Sequence, residues 1–458
     1  MKKLRFLVAL WAAKCAIICL KLLRRNATHY PGVIALKICP DFLKLLQKPE
    51  TIIGVTGTNG KTTVANLVTD ILTDQGHKVL SNRMGGNILG GVTTVLLRGV
   101  GVFGKCKYPM AVLELDERSS RLVFPHVRPH YLLCTNLFRD SYKRNAHSEY
   151  IQSILRNGIP EASHLILNAD DLISCGIQNG QDCTYFGVAP LTNESTTPNN
   201  IIKDLSACPV CGHPLTFDFC RYNHVGQVHC EACSFASPTP QVQTVAIDQE
   251  QGTLTLLLGG EQHTLPLPGD NITDIYNTTA AVALLTQLGI GIDKIADSLT
   301  RCGIVKSRFD CVNVGDKQVI MNLAKGQNPI ACSRVFDYIR KTPGKKAVLV
   351  LVDDVGDAAE TSENTAWIYE ADFEFLNHED ITQIVVGGVR CQDYKVRLLL
   401  AGVDAEKIAT HPQEIPSADL VDFATADKIF ILYDVYTIHL AKGAKQRLLD
   451  RMKGGNPQ

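Results

Sequence analysis

The chain has 458 residues, 46 Lys and Arg balanced by 46 Asp and Glu, and 45% apolar residues. That length exceeds what one core sustains and asks for about two or three domains, while the even charge, with no basic run interleaved with aromatics, gives no case for a nucleic-acid binder. Its 16 cysteines, many of them scattered singles such as Cys15, Cys134, Cys302 and Cys391, do not read as a secreted disulfide framework.

The first segment, Met1 to Arg25, is apolar from Phe6 to Leu23 except for Lys14 and Lys21, and no acid precedes Asp41. A spanning helix would bury Lys14 at a cost of about 2.5–3.5 kcal/mol. On a helical wheel Lys3, Lys14, Lys21 and Arg25 share one narrow face, which fits a helix packed on the protein or lying in a membrane interface; an anchor or signal peptide is the third reading.

Thr51 to Val55 reads as a short buried strand and Val64 to Thr73 as a helix, so Gly54-Val55-Thr56-Gly57-Thr58-Asn59-Gly60-Lys61-Thr62-Thr63 forms the turn between them. Glycines there let backbone N–H groups close around phosphate oxygens at the positive end of the helix. Lys61 then reaches the terminal phosphates, and the Thr62 hydroxyl can ligate Mg²⁺. The strict pattern wants glycine where this chain has Val55, so the loop is a variant. An ordinary Gly-rich turn would leave Lys61-Thr62-Thr63 unexplained. A nucleotide loop and reduced thiols both point to the cytoplasm.

Asn82 and Arg83 follow a strand at Lys78 to Ser81, on the side where the loops of a parallel α/β sheet gather around ligand; a surface turn is the alternative. Met110 to Leu115 is a buried-looking strand ending in Glu114, Asp116 and Glu117. A carboxylate in that place can hold a hard cation on nucleotide phosphates, or it is a solvated acid opening a loop. Tyr131 to Leu137 is a further apolar strand, and the alternation predicts a parallel, doubly wound sheet.

Residues 190–206 are rich in Thr, Asn and Pro and lead into two CxxC pairs, Cys208/Cys211 and Cys230/Cys233. Four thiolates at this spacing suit tetrahedral Zn²⁺ with a closed shell, hence a structural site in a zinc ribbon over about 206–236; redox CxxC pairs are the alternative. Cys220, His213, His224 and His229 read as bystanders. Val242 to Leu267 alternates as hairpin strands. An Ala-rich helix begins near Ile275, and its Asn277 can read an adenine edge or face solvent. Ala347 to Val352, Ile384 to Gly388 and Ile429 to Tyr433 are continuous apolar strands of a second doubly wound domain.

With these pieces assembled, the chain resembles the Mur ligase superfamily and, within it, the MurT family. The resemblance rests on Gly57 to Thr63, Ser81-Asn82-Arg83-Met84-Gly85-Gly86-Asn87, Leu113-Glu114-Leu115-Asp116-Glu117, Thr135 to Asp140, the four-cysteine insert and Trp367-Ile368-Tyr369-Glu370-Ala371-Asp372-Phe373-Glu374. It implies an α/β fold: an N-terminal helical segment (1–48), a Mur ligase-type central P-loop ATPase domain (49–311) carrying the zinc ribbon, and a Rossmann-like C-terminal domain (312–458).

The resemblance also implies ATP-dependent amidation, with Mg²⁺, of the D-glutamate α-carboxylate of the lipid II stem peptide, ammonia coming from a GatD-type glutaminase partner. A stand-alone carboxylate–amine ligase on another acceptor is the alternative. Lys61 and Thr62 would handle phosphates and Mg²⁺, Glu114 would ligate Mg²⁺, Asn277 and Arg308 would lie near the nucleotide, and Lys325 would approach the phosphates from the terminal domain. Two positions depart from the family: Asn364, beside Glu363, stands where an Asp completes the partner's Cys-His pair, and Ser141-Tyr142-Lys143 follows Asp140 where Mur ligases carry a metal-binding His. An Asn orients an imidazole but cannot stabilise the imidazolium by charge. The expected location is cytoplasmic, with lipid II met at the inner face of the membrane.

Overall fold

The computed structural model describes residues 2–139, 147–192, 194–267, 269, 271–301, 310–352 and 365–454. These fall in two compact units, one drawn from Met1–Phe138, His147–Thr197 and Leu205–Ile304, the other from Arg139–Ala146, Pro198–Asp204 and Val305–Gln458. Arg308, Asn364 and the stretch from Asp140 to Lys143 lie outside the described residues.

The first unit is built on a nine-stranded mixed sheet. Its strands are β1 (Thr51–Thr56), β2 (Val79–Ser81), β3 (Met110–Glu114), β4 (Tyr131–Cys134), β5 (His164–Asn168), β6 (Cys183–Val188), β9 (Val242–Asp248), β10 (Thr253–Leu258) and β11 (Glu261–Pro266), in the order β11-β10-β9-β6-β5-β4-β1-β3-β2. From β2 to β9 neighbouring strands run parallel, and β9, β10 and β11 form an antiparallel meander. The alternation in Val242 to Leu267 is therefore a sheet extension. Between β6 and β9 the chain makes a separate hairpin, β7 (Thr216–Tyr222) with β8 (Val225–His229).

Helix Lys2–Leu22 lies on this unit, burying Phe6, Ala9, Leu10, Ala13 and Ile17 in the core beneath β1, β3 and β4. Fully burying one such large side chain contributes about 1.5–3 kcal/mol, so the packed reading of the N-terminal segment describes it. Lys14 is not part of a free basic face: its ammonium donates to Leu97 O at 3.4 Å, in the last turn of helix Leu89–Arg98, and to Val100 O at 2.8 Å, just past it. A cation is favourable there because the terminal carbonyls of a helix carry partial negative charge. Among the described residues, no helix is long and apolar enough to cross a membrane.

The second unit is a six-stranded sheet, β12 (Asp310–Val314), β13 (Lys317–Leu323), β14 (Lys346–Leu351), β15 (Ile381–Gly387), β16 (Ile408–His411) and β17 (Lys428–Tyr433), ordered β12-β13-β17-β14-β15-β16. Only the β12–β13 pair is antiparallel. Successive residues of β14 enter different cores: Val348 and Val350 join Phe336 and Trp367, whereas Ala347, Leu349 and Leu351 join Ala441 and Leu448. A strand buried on both faces has no reason to alternate with polar residues, which is why these segments read as continuous apolar runs.

In the first unit helix Lys61–Asp74 is tied at its C-terminal end to helix Ile292–Arg301. Asp74 accepts from Arg301 Nη2 at 2.6 Å and Ser298 Oγ at 2.5 Å, and these bonds pull its carboxyl down to about 2. A carboxyl whose pKa falls on folding contributes stability that is complete above its unfolded value of about 3.9 and is lost as pH drops through the folded one. The gap in urea midpoint between wild type and Asp74→Asn is therefore expected to be constant near neutrality and to close between about pH 4 and pH 2. A gap unchanged at pH 2 would contradict this.

Candidate active site

The turn after β1 brings the backbone unusually close to its neighbours. Gly57 has φ +123° and Gly60 φ +85°. A Cβ at Gly57 would sit 2.2 Å from Thr135 Oγ1, and one at Gly60 would sit 2.2 Å from Asn277 Oδ1, so both positions need glycine on two counts. Residues following β4 clamp the turn. Thr58 N donates to Asn136 O at 2.8 Å, Asn59 N to Asn136 Oδ1 at 3.0 Å, Phe138 N to Thr58 Oγ1 at 2.8 Å, and Thr135 Oγ1 to Asn59 O at 2.6 Å. Helix Lys61–Asp74 starts directly on Gly60 with no side-chain cap, and the buried Asn59 Nδ2 has no hydrogen-bond partner among the described residues. Uncapped N–H groups and an unpaired buried donor at one point are a fit for an anionic oxygen ligand.

Three carboxylates close the other side, each with a different task. Glu114 accepts from Thr62 Oγ1 at 2.8 Å and Asn87 Nδ2 at 3.0 Å. Asp116 caps the next turn by accepting from Ser119 N at 2.8 Å. Glu117, buried with its side chain 3% exposed, holds Lys61 Nζ at 2.7 Å, while the same ammonium donates to Gly57 O. Burial pushes the Glu117 carboxyl above its ordinary value and the Lys61 ammonium beside it works the other way. The expectation that Glu117 is a metal-type or solvated acid is thus replaced by a buried partner for Lys61.

Of the other residues singled out in the sequence, Asn277 is brought over Gly60 by the buried helix Ile272–Gln287. Asn82 and Arg83 diverge. Asn82 spends its amide on the backbone of Glu114, with two bonds of 2.8 Å, and Arg83 turns to Asp70 and to Asn66, 3.1 Å away, on the flank of helix Lys61–Asp74. Thr63 is within the first turn of that helix.

Lys325 belongs to the second unit, in the turn following β13. It and Gln327 both have positive φ, +53° and +63°, on either side of Gly326, where a Cβ would meet Val352 O at 2.5 Å. Two non-glycine residues in the left-handed region cost of order 1–3 kcal/mol each, and such strain concentrates where a loop serves a ligand. Asn328 then caps helix Pro329–Lys341, accepting from Ala331 N at 2.9 Å.

The cysteines converge. Cys208 and Cys233 sulfurs are 3.6 Å apart, Cys211 and Cys230 are 3.5 Å apart, and all four lie within 4.8 Å of one another. A tetrahedral ion with bonds of about 2.3 Å separates its sulfur ligands by roughly 3.8 Å, so the set fits one metal. His229 pairs with Asp218 at 2.8 Å and buried His224 with Asp171 at 3.1 Å, outside that group.

Sequence reasoning missed what joins the cysteine-bearing hairpin to the sheet. Arg221 of β7 is buried, donating to both Glu194 oxygens at 2.5 and 3.0 Å, to Ala189 O at 2.9 Å and to Tyr276 Oη. Tyr276, beside Asn277, donates to the fully buried Asp170 at 2.6 Å; Asp170 also accepts from Val188 N at 2.9 Å and Gln227 Nε2 at 3.3 Å. Burial lifts the Asp170 carboxyl; at Arg221 burial works against the charge, but the surrounding Glu194 and Asp170 carboxylates outweigh it and hold the guanidinium protonated. These partners are too far apart in sequence for any local pattern to link them.

Residues 55–195 match the family described as Mur ligase middle domain, and residues 325–438 match the family described as MurT ligase C-terminal. The chain belongs to the Mur ligase superfamily, in its MurT branch. The MurT subunit of lipid II isoglutaminyl synthase (glutamine-hydrolyzing) from Staphylococcus aureus (strain COL) is 29% identical over 418 residues, covering 91% of this chain and 92% of the relative. The Streptococcus pneumoniae (strain ATCC BAA-255 / R6) MurT subunit is 29% identical over 410 residues, covering 88% and 89%.

Among solved structures, a pseudomurein peptide ligase type C from Methanothermus fervidus superposes with TM-score 0.66 at 19% identity, covering 89% of this chain and 81% of that one. MurF from Thermotoga maritima, in complex with ADP, superposes with TM-score 0.57 at 14% identity, covering 93% and 84%. At that identity the likeness is one of Mur ligase fold. The loop from Val55 to Thr63 lies in the middle-domain match, and Lys325 opens the MurT C-terminal match.

Removing one partner of a buried charge network leaves the others uncompensated, at about 3–5 kcal/mol. Asp170→Ala is expected to lose that much stability in urea unfolding; a loss below about 1 kcal/mol would show that the network does not hold the hairpin to the sheet.

Proposed function

We propose that this chain is the ligase subunit of a glutamine-hydrolysing lipid II isoglutaminyl synthase, using MgATP to amidate the D-glutamate α-carboxylate of the stem peptide, with ammonia from a GatD-type glutaminase. The observation that carries the reading is the loop itself: Lys61, the Thr62 hydroxyl 2.8 Å from Glu114, and an uncapped helix start under Asn277, in a chain matching MurT subunits along most of its length.

A carboxylate is a poor electrophile. Its oxygen attacks the γ-phosphorus of ATP, ADP leaves, and the resulting acyl phosphate is attacked at carbon by ammonia, which sheds a proton as phosphate departs. The protein's work is positioning and charge neutralisation. In this reading the N–H groups of the Gly57–Gly60 turn and the Asn59 amide hold phosphate oxygens, and Asn277 faces the nucleotide. Lys61 exchanges its Glu117 partner for phosphate charge. Thr62 and Glu114 would hold Mg²⁺, whose chemistry is to neutralise the developing phosphate charge. As the family resemblance implies, Lys325 and Arg308 would serve the phosphates and Asn364 would serve the partner glutaminase as an orienting amide.

The turn fits the P-loop role and the second unit a Rossmann-like one, with domain limits at 1–48, 49–311 and 312–458. The four cysteines form a structural zinc ribbon: their shell is closed, so no position is left for a substrate. Lipid II brings the reaction to the inner face of the membrane.

Lipid II amidation driven by ATP and glutamine is expected to need both this chain and its glutaminase, and Lys61→Ala to lower the rate about 10²–10³-fold with folding retained. ATP turnover with ammonia but none with glutamine would favour the stand-alone ligase instead. Elemental analysis of protein purified without chelator is expected to give one zinc per chain, lost in Cys211→Ser; disulfides in place of metal would overturn the ribbon.

A further inference from the structure

Helix Lys2–Leu22 is apolar on two opposite sides. Phe6, Leu10 and Ile17 face the core, while Leu4, Val8, Trp11, Ile18 and Leu22, 44–78% exposed, recur at helical spacing as one straight outward stripe. The turn between helix Leu89–Arg98 and β3 adds to it. Trp11 Nε1 donates to Val102 O at 2.8 Å, which sets the tip residues Val102 and Phe103 beside the stripe, and Phe103 is 78% exposed. Gly104 lies over the Phe6 ring, where an added Cβ would meet the ring at 2.9 Å.

The helix carries charge of one sign. Eight basic residues and no acidic one precede Asp41, and Lys105 and Lys107 are exposed on the same turn as Phe103. On the helical wheel Lys3 and Lys21 border the stripe. Lys14, spent on the carbonyls of Leu97 and Val100, is outside the argument for binding.

We propose that this stripe, with the Val102–Phe103 tip, docks on an anionic lipid bilayer, the apolar side chains entering the headgroup boundary and the lysines meeting acidic headgroups. Protein interfaces share the aromatic anchors but are depleted in Lys, so the Lys border of this aliphatic and aromatic stripe is what points to an interfacial helix. A second copy of the chain would bring the same basic border against itself. The inference goes beyond the proposed reaction and does not rest on it.

Full-length protein is sedimented with vesicles of phosphatidylcholine, with and without phosphatidylglycerol. Binding is expected to require phosphatidylglycerol and to weaken with salt. Trp11 emission is expected to shift to the blue, Trp367 being buried already. Phe103→Ser with Ile18→Ser, both on exposed side chains, is expected to lower the bound fraction at least tenfold with an unchanged melting temperature; Leu4→Ser with Leu22→Ser gives an independent check at the two ends of the stripe. Failure to sediment with phosphatidylglycerol vesicles, or equal binding to neutral ones, would overturn the proposal. So would a dimeric mass in solution that the same substitutions reduce to monomer, which would assign the face to a second copy.

Discussion

The site depends on two side chains that are absent. With glycine at 57 and 60, the turn after β1 passes close enough to Thr135 and Asn277 for its backbone to be clamped by the residues following β4 while the uncapped start of helix Lys61–Asp74 stays open. Any Cβ at either position meets a side-chain oxygen at 2.2 Å and sits on a positive φ, so another residue there strains the turn and displaces Thr135 or Asn277. Everything that makes the site chemically useful follows from that close approach: Lys61 reaches Glu117, Thr62 reaches Glu114, and Asn277 covers the turn.

A second constraint fixes where Asn277 lies. The residue before it in the helix, Tyr276, is bonded to Asp170 and Arg221, and Arg221 belongs to the hairpin that also leads to Cys230. The four-cysteine module is therefore joined through a buried charge network to the helix that covers the nucleotide-type loop. A metal held by that module would act on the loop through rigidity, since the hairpin holds Arg221 and Arg221 holds the helix.

Much of this was legible in the chain because it is local. The segments read as strands at Thr51, Met110, Tyr131, Ala347, Ile384 and Ile429 are β1, β3, β4, β14, β15 and β17, since continuous apolar runs mark strands buried on both faces. The cysteine spacing announced a cluster that the fold does assemble. What stayed hidden is long-range. Glu114, Asp116 and Glu117 are nearly adjacent, and nothing local says that one meets Thr62, one caps a turn and one is buried against Lys61. Asn82 and Arg83 are adjacent too, yet one supports the end of β3 and the other a helix flank. Short, weakly apolar strands such as β12 and β16 carry too little pattern to be read at all.

The central claim is that the chain turns a carboxylate into a phosphorylated leaving group at this loop. Lipid II labelled with ¹⁸O in the D-glutamate α-carboxylate tests it most directly, by mass analysis of the phosphate released during amidation. An acyl phosphate route delivers one labelled oxygen to phosphate for every amide formed. Unlabelled phosphate, with amide still made, would contradict the account.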